Sequence, residues 1–186
     1  MQGKPNSGQG GTAAAPARAS NASVEHVLRQ AATPQEFCVA LAKLFGVRPT
    51  EVALMRLEKG LLSFVCPEQL KTAGSIPVSS SSAVAAHTAS TKKTELFNAF
   101  VKVKHASIFE SVKLNSSEDD VERSGQNAIQ KLMSAPILDA QRKVLGVVQV
   151  CRKGFDPATA GPDFAPEDLQ QLELAAKVLS TLPLLK

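Results

Sequence analysis

Apolar positions along this chain change period several times, and each change marks an element. Between Thr33 and Gly46, Phe37, Leu41, Leu44 and Phe45 recur at helical spacing, predicting an amphipathic helix. Its start is well signposted. Thr33 suits the N-cap, Pro34 the first helical position and Glu36 the third place of a capping box, while Gly46 supplies the stop. A shorter helix precedes it, beginning at Ser23 and running to Gln30. After it the period falls to two. Glu51–Glu58 sets Ala53, Met55 and Leu57 against Val52, Leu54 and Arg56; Leu61–Cys66 sets Leu62, Phe64 and Cys66 against Ser63 and Val65. A hairpin across Lys59-Gly60 is expected, with Pro67 ending the ladder because it has no N–H to donate.

The last third carries the strongest pattern. Ala135-Pro136-Ile137-Leu138 leads through a polar turn, Asp139 to Lys143, into a second strand from Val144 to Val150. In that strand Leu145, Val147, Gln149 and Cys151 face one way, and Val144, Gly146, Val148 and Val150 the other. Both faces are largely apolar, so the strand belongs inside a sheet covered on both sides. Gly146 reads as a bend in a packed strand, or as a place where another backbone comes close. A final helix opens near Pro166, with Glu167 and Asp168 in the turn where the helix dipole favours acids. It bears two apolar stripes: Leu169, Leu172, Ala176 and Leu179, then Leu174, Val178 and Leu182. One stripe is enough for a core, so the second packs on the N-terminal helix or on a second copy.

The middle is less regular. Ser79–Ser82 reads as the cap of a helix through Ala83–Ala89, Glu95–Lys104 is ambiguous between strand and loop, and Leu114–Asn127 is a solvated acidic stretch. No internal repeat is evident.

Composition narrows the function classes. The chain has 186 residues, enough for one well-filled domain. Eight Phe stand alone as aromatics, with no Trp or Tyr, which argues against a base-stacking nucleic-acid surface. The net charge of +4 owes part of its size to Lys4 and Arg18 in a Gly-, Ser- and Ala-rich N-terminal stretch. Residues 1–22 are expected to be a disordered tail and residues 23–186 a single domain. The body has no strong electrostatic pull toward nucleic acid or membrane. No apolar run approaches a membrane span or a secretory signal, so a cytoplasmic location is expected. Cys38, Cys66 and Cys151 each lie in an apolar run and form no CxxC, which reads as buried free thiols.

Taken from about Ser23 to Leu182, the order helix, hairpin, variable middle, hairpin, helix resembles a whole GAF domain. The strongest match is Leu132–Lys153 followed by Phe164-Ala-Pro-Glu-Asp168. The resemblance implies a mixed α/β (α+β) fold of GAF/PAS type: a central antiparallel sheet with the terminal helices on one face and a helix and loop cap over a pocket on the other. Members that bind cyclic nucleotides carry an Asn-Lys, a Phe and an Asp-Glu. Here Lys153, Phe164 and Asp168 match, while Arg152 and Leu169 depart. The resemblance implies a salt bridge from Lys153 to Asp168, tying sheet to last helix, and marks the fold more than a ligand.

The pocket, on this reading, falls in the variable middle. Phe97, Phe100 and Phe109 offer flat faces there, and Lys104 and His105 offer positive charge or hydrogen bonds, which together suit a small anionic or nucleotide-like ligand. The bland alternative makes the lysines a solvated face and the phenylalanines core. No resident cofactor, no metal site and no catalytic residue are expected, although an effector of unknown identity is. The implied function is a sensory, regulatory domain in signal transduction that acts in trans on an unidentified protein partner, with homodimerisation through the terminal helices, and without nucleic acid or membrane. Two alternatives stay open. One is a thiol-dependent reductase of free methionine sulfoxide, for which Cys66, at a strand end before Pro67, is the least buried candidate. The other is a degenerate GAF dimerisation module whose pocket is filled.

Overall fold

The computed structural model describes residues 20–100 and 128–185. Six strands form one antiparallel sheet in the order β3-β2-β1-β6-β5-β4. They are β1 (Val52–Glu58), β2 (Leu61–Cys66), β3 (Ser75–Pro77), β4 (Glu95–Phe97), β5 (Ala128–Leu138) and β6 (Val144–Gly154). Helices α1 (Asn21–Arg29), α2 (Pro34–Phe45) and α4 (Pro166–Thr181) cover one face, and α3 (Val84–Thr91) covers the other. This is the three-layer α/β arrangement expected from the sequence. No described helix is long and apolar enough to cross a membrane.

The helix ends largely follow their signals. Thr33 Oγ1 accepts the Glu36 N–H and Gly46 closes α2 in the left-handed region at φ 59°. The carboxylate of Glu36 reaches one residue further back than a capping box would place it, taking the N–H of Ala32 at 2.8 Å. Helix α1 begins at Asn21 under a Ser20 cap, two residues ahead of the expected domain boundary. The serines before α3 do not cap it. Ala83 holds the cap position without a side-chain bond, while the Ser80 and Ser82 hydroxyls bond each other. Glu95–Phe97 resolves as a short edge strand. The acidic stretch expected over 114–127 lies outside the described residues.

The sheet has three register shifts, and two of them correct the period-two reading. Leu54 pairs with Cys66 and Met55 with Phe64, so Val65 is the extra residue of a bulge. Leu62 and Phe64 therefore join the α3-side core, whereas Cys66 turns to the helix side. In the same way Ile137 pairs with Gly146 and Leu138 with Val144, which skips Leu145. Val144 then shares the α3-side core with Val147, not with Val148 as simple alternation requires. The third shift lies between Ile129 and Lys131. An inserted residue reverses the facing of everything beyond it, and side-chain pattern alone does not announce it.

Gly146 proves to be a site of close approach. A Cβ there would run into the Met55 carbonyl oxygen of the neighbouring strand. The second stripe of α4 also finds its cover within the chain: Val178 is 1 % exposed and belongs to the core shared with Val24 and Leu28 of α1. Substituting Val178 would therefore break the domain itself and is no probe of an interface between copies.

Gly146→Ala is expected to destabilise the protein by about 3 kcal/mol or more, because the obstructing atom is backbone in a packed sheet. The urea unfolding midpoint measures it; an unchanged midpoint would contradict this packing of β1 on β6.

Candidate ligand site

The α3 side of the sheet is closed by small side chains. Ala85, Ala86 and Ala89 are buried and let α3 lie close against β5 and β6. Into this contact come three buried polar groups: Thr88 from α3, and Ser134 and Gln149, which face each other in the β5–β6 register. Their hydrogen bonds have one consistent direction. Thr88 Oγ1 donates its single proton to Glu95 Oε2 at 2.8 Å. It must then accept from Ser134 Oγ, also at 2.8 Å, and Ser134 in turn accepts from Gln149 Nε2 at 3.1 Å. The other Glu95 oxygen, Oε1, meets His87 Nδ1 at 2.9 Å. The array therefore runs from the centre of the sheet to a carboxylate near its edge, where the Glu95 side chain is 17 % exposed and that of His87 47 %. Such groups are costly to bury unless each finds a partner, and these do.

Beside this array lie Phe97 and Phe100, two of the five residues expected to line a pocket. Their rings meet edge to face, with centroids 6.2 Å apart and planes at 74°. Phe100 is buried in the α3-side core, whereas Phe97 is half-buried on β4. Lys104, His105 and Phe109 lie outside the described residues. Sequence reasoning passed over Thr88, Glu95, Ser134 and Gln149. The available signal was a polar residue at an inward position of an otherwise apolar strand, in Met133-Ser-Ala135 and Val148-Gln-Val150. Only strand register brings those positions together.

Asn98 joins this region to the helix layer. Its side chain donates to the Phe164 carbonyl and accepts the Phe164 N–H, both at 3.0 Å, just ahead of α4. Phe164 is buried, and the Arg152 guanidinium lies 4.7 Å from its ring centroid. Arg152 Nη2 also donates to the Phe45 carbonyl at the end of α2, at 2.9 Å. Arg152, the residue that departs from the cyclic-nucleotide pattern, thus links β6 to both α2 and the approach to α4. Asp168 uses its carboxylate to accept the Ala165 N–H at 2.7 Å and so closes the start of α4.

At the end of the sheet a cleft of about 400 Å³ is lined by Arg48, Glu51, Arg152, Lys153 and Phe155, among others. Glu51, expected to open a strand, occupies a 3-10 turn (Pro49–Glu51) and is buried. Burial alone would raise its carboxyl pKa. Hydrogen bonds from Arg48 Nη2 at 2.9 Å and from the Arg48 and Lys153 N–H groups, each at 2.8 Å, outweigh it and leave the pKa below the usual range.

None of the three cysteines forms a disulfide and all are buried, Cys66 included, so no thiol stands open at a strand end. Cys66 Sγ donates to the Gln35 side-chain oxygen at 3.1 Å. The Cys66 thiol and burial push the Cys38 thiol above its ordinary range, while Cys38, with help from Lys71, draws Cys66 below it against burial. Among the described residues, no group of three or more His, Cys, Asp or Glu side chains has the arrangement of a metal site.

No family model matches the chain, and no curated protein matches it in sequence. Solved structures match it in shape. The GAF domain of an Acinetobacter phosphoenolpyruvate-protein phosphotransferase superposes with a TM-score of 0.59 at 13 % identity, over 87 % of this chain and 88 % of that one. The GAF domain of the phosphoenolpyruvate-protein phosphotransferase of Coxiella burnetii gives 0.58 at 9 % identity, over 87 % and 88 %. The free methionine-R-sulfoxide reductase of Neisseria meningitidis, solved with its substrate, gives 0.55 at 14 % identity, over 87 % and 84 %. The chain shares with these structures a six-stranded antiparallel sheet between a three-helix layer and a cap helix. In fold, this chain is a GAF domain.

Glu51→Gln is expected to cost about 2 kcal/mol, since two N–H donors and a guanidinium lose their anionic acceptor. Because the folded pKa of Glu51 is depressed, its contribution is full above about pH 4.5 and fades as the pH falls below that. Unfolding free energies measured from pH 7 to pH 3 should converge for wild type and variant at the acid end; a constant gap would contradict the assignment.

Proposed function

We propose that this GAF-fold chain is a regulatory domain that binds a small nucleotide-like molecule on the α3 side of the sheet, by recognition and without chemistry on it. The observation that carries the reading is the directed array Gln149–Ser134–Thr88–Glu95, which brings a carboxylate to the edge of the sheet, bonded to His87 and two residues from Phe97. A domain that only had to pack would fill that place with apolar side chains. Glu95 suits the N–H edge of a base, and the ring of Phe97 suits its flat face. Lys104 and His105 then serve the anionic part of the ligand.

The response runs through β4. Asn98 follows that strand directly and holds the backbone of Phe164, so a ligand that favours one position of β4 also favours one placement of the start of α4. The helix layer carries the effect to a protein partner or to a second copy.

The three buried thiols give the reductase reading little support, since catalysis on free methionine sulfoxide needs an accessible thiolate. Thermal unfolding with cyclic AMP, cyclic GMP, AMP, GMP and methionine sulfoxide, each at millimolar concentration, separates the two. Binding at a hundredfold excess over Kd adds about 2.7 kcal/mol and raises Tm by roughly 5–10 °C. One of the nucleotides should do so, and Glu95→Gln should abolish the rise while leaving the ligand-free protein folded. A rise with methionine sulfoxide accompanied by turnover, or the same rise in Glu95→Gln, would overturn the proposal.

A further inference from the structure

The cleft of about 400 Å³ at the end of the sheet carries more positive charge than the fold uses. Arg48, Arg152 and Lys153 line it against one carboxylate, Glu51. That carboxylate is already committed. Its Oε1 accepts from Arg48 Nη2 and the Lys153 N–H, and its Oε2 from the Arg48 N–H. Glu51 is buried, whereas the Arg48 side chain is 56 % exposed. Arg152 is half-buried and has only neutral acceptors. Its Nη2 donates to the Phe45 carbonyl at 2.9 Å, and its Nη1 makes a long bond of 3.4 Å to the Gly46 carbonyl. Its Nε–H is buried with no acceptor. Among the described residues no carboxylate bonds this guanidinium, although Glu51 and Asp168 pull on it through space. A cation withdrawn from water without a bonded counter-ion is costly, and an anion in the cleft would relieve that cost. Another wall is the loop after β6. Gly154 has no room for a Cβ against Ala160, so the loop lies folded back on the strand. The Asp156 N–H donates to Thr159 Oγ1 at 3.0 Å and the Thr159 N–H to Asp156 Oδ1 at 2.8 Å. The loop sets Phe155 on the cleft with its side chain 74 % exposed.

We propose that this cleft is a second binding site, for a small organic phosphomonoester whose phosphate takes the Arg152 and Arg48 guanidinium groups and whose apolar body rests on Phe155. Guanidinium forks meet phosphate oxygens two at a time, which makes arginine the better phosphate clamp. Three cations against one carboxylate leave two positive charges, and a phosphomonoester above its second pKa carries nearly two negative ones. The volume suits a small molecule. The site is separate from the one on the α3 side, because its walls come from the end of α2, the 3-10 turn and the loop after β6. Binding there bears on the helix layer, since Arg152 also holds the Phe45 carbonyl and lies over the Phe164 ring ahead of α4.

The test titrates phenyl phosphate into the full nitrogen-15-labelled chain at low salt, read by the backbone N–H resonances and the Arg152 Nε–H resonance. Saturable shifts are expected at Arg152, Lys153, Gly154 and Phe155, with a Kd below about 1 mM. Arg152→Gln should weaken binding about tenfold, the loss of one charge-assisted hydrogen bond. Phe155→Ala removes an exposed ring; it should weaken phenyl phosphate about fivefold and leave inorganic phosphate unchanged. Phenyl sulfate, a monoanion of the same shape, should bind more weakly than phenyl phosphate. Glu95→Gln, a change at the α3-side site, should alter none of this. Should Arg152→Gln fail to fold, the wild-type map and Phe155→Ala still decide. No saturable shift up to about 10 mM, shifts confined to α3 and β4, equal affinity for phenyl sulfate, or unchanged binding by a folded Arg152→Gln or by Phe155→Ala would each overturn the proposal.

Discussion

A sheet covered on both faces leaves little room for a polar group without a partner, and this constraint organises the whole domain. Strands β5 and β6 are buried over most of their length and β1 from Val52 to Met55, with α1, α2 and α4 on one side and α3 on the other. Their apolar residues need no further explanation. The polar ones do. Ser134, Gln149 and Thr88 are bonded to one another, and Lys131 is held by the Gly161 carbonyl and by Asp163 at 2.8 Å. Glu51 collects three donors at the end of the sheet. Where packing alone would choose hydrocarbon, each of these marks a place where the chain keeps charge or direction inside the fold.

How much of this could be read from the residues depends on the range over which the cause acts. Helix α2 was legible because its cap, its apolar stripe and its stopping glycine all lie within fourteen residues. The turn from Asp139 to Lys143 was legible for the same reason, and the Asp139 carboxylate indeed accepts the N–H groups of Gln141 and Lys143. The bulges were not. Val65 and Leu145 look like ordinary strand residues, and only pairing with β1 and β5 shows that each is supernumerary. The first sends Cys66 to the helix layer and the second sends Val144 to the other, reversing both expectations. Gly146 allows a bend or a close approach on sequence alone, and only the pairing of β1 with β6 shows that the Met55 carbonyl lies against it.

The site shows the same division. Phe97 and Phe100 were found as aromatics in the variable middle, and they do meet, although Phe100 serves the core. Thr88, Ser134 and Gln149 come from three separate segments and share no local motif, so their convergence is a property of register. Arg152 is the instructive departure. It breaks the pattern of the cyclic-nucleotide binders, yet its guanidinium reaches Phe45 and Phe164 at once and joins β6 to the helix layer. Asn98 makes the reciprocal link from the cap side. These two connections tie β6 and the segment after β4 to the helix layer, the kind of link that the proposed ligand response needs.

Native mass spectrometry of the protein purified from its expression host, with nothing added, tests the central claim most directly. The proposed binding function predicts an extra mass that leaves on denaturation and matches a small nucleotide-like molecule, present in wild type and missing from a Glu95→Gln variant of equal fold. A clean ligand-free species, unchanged after incubation with the nucleotides, would contradict it.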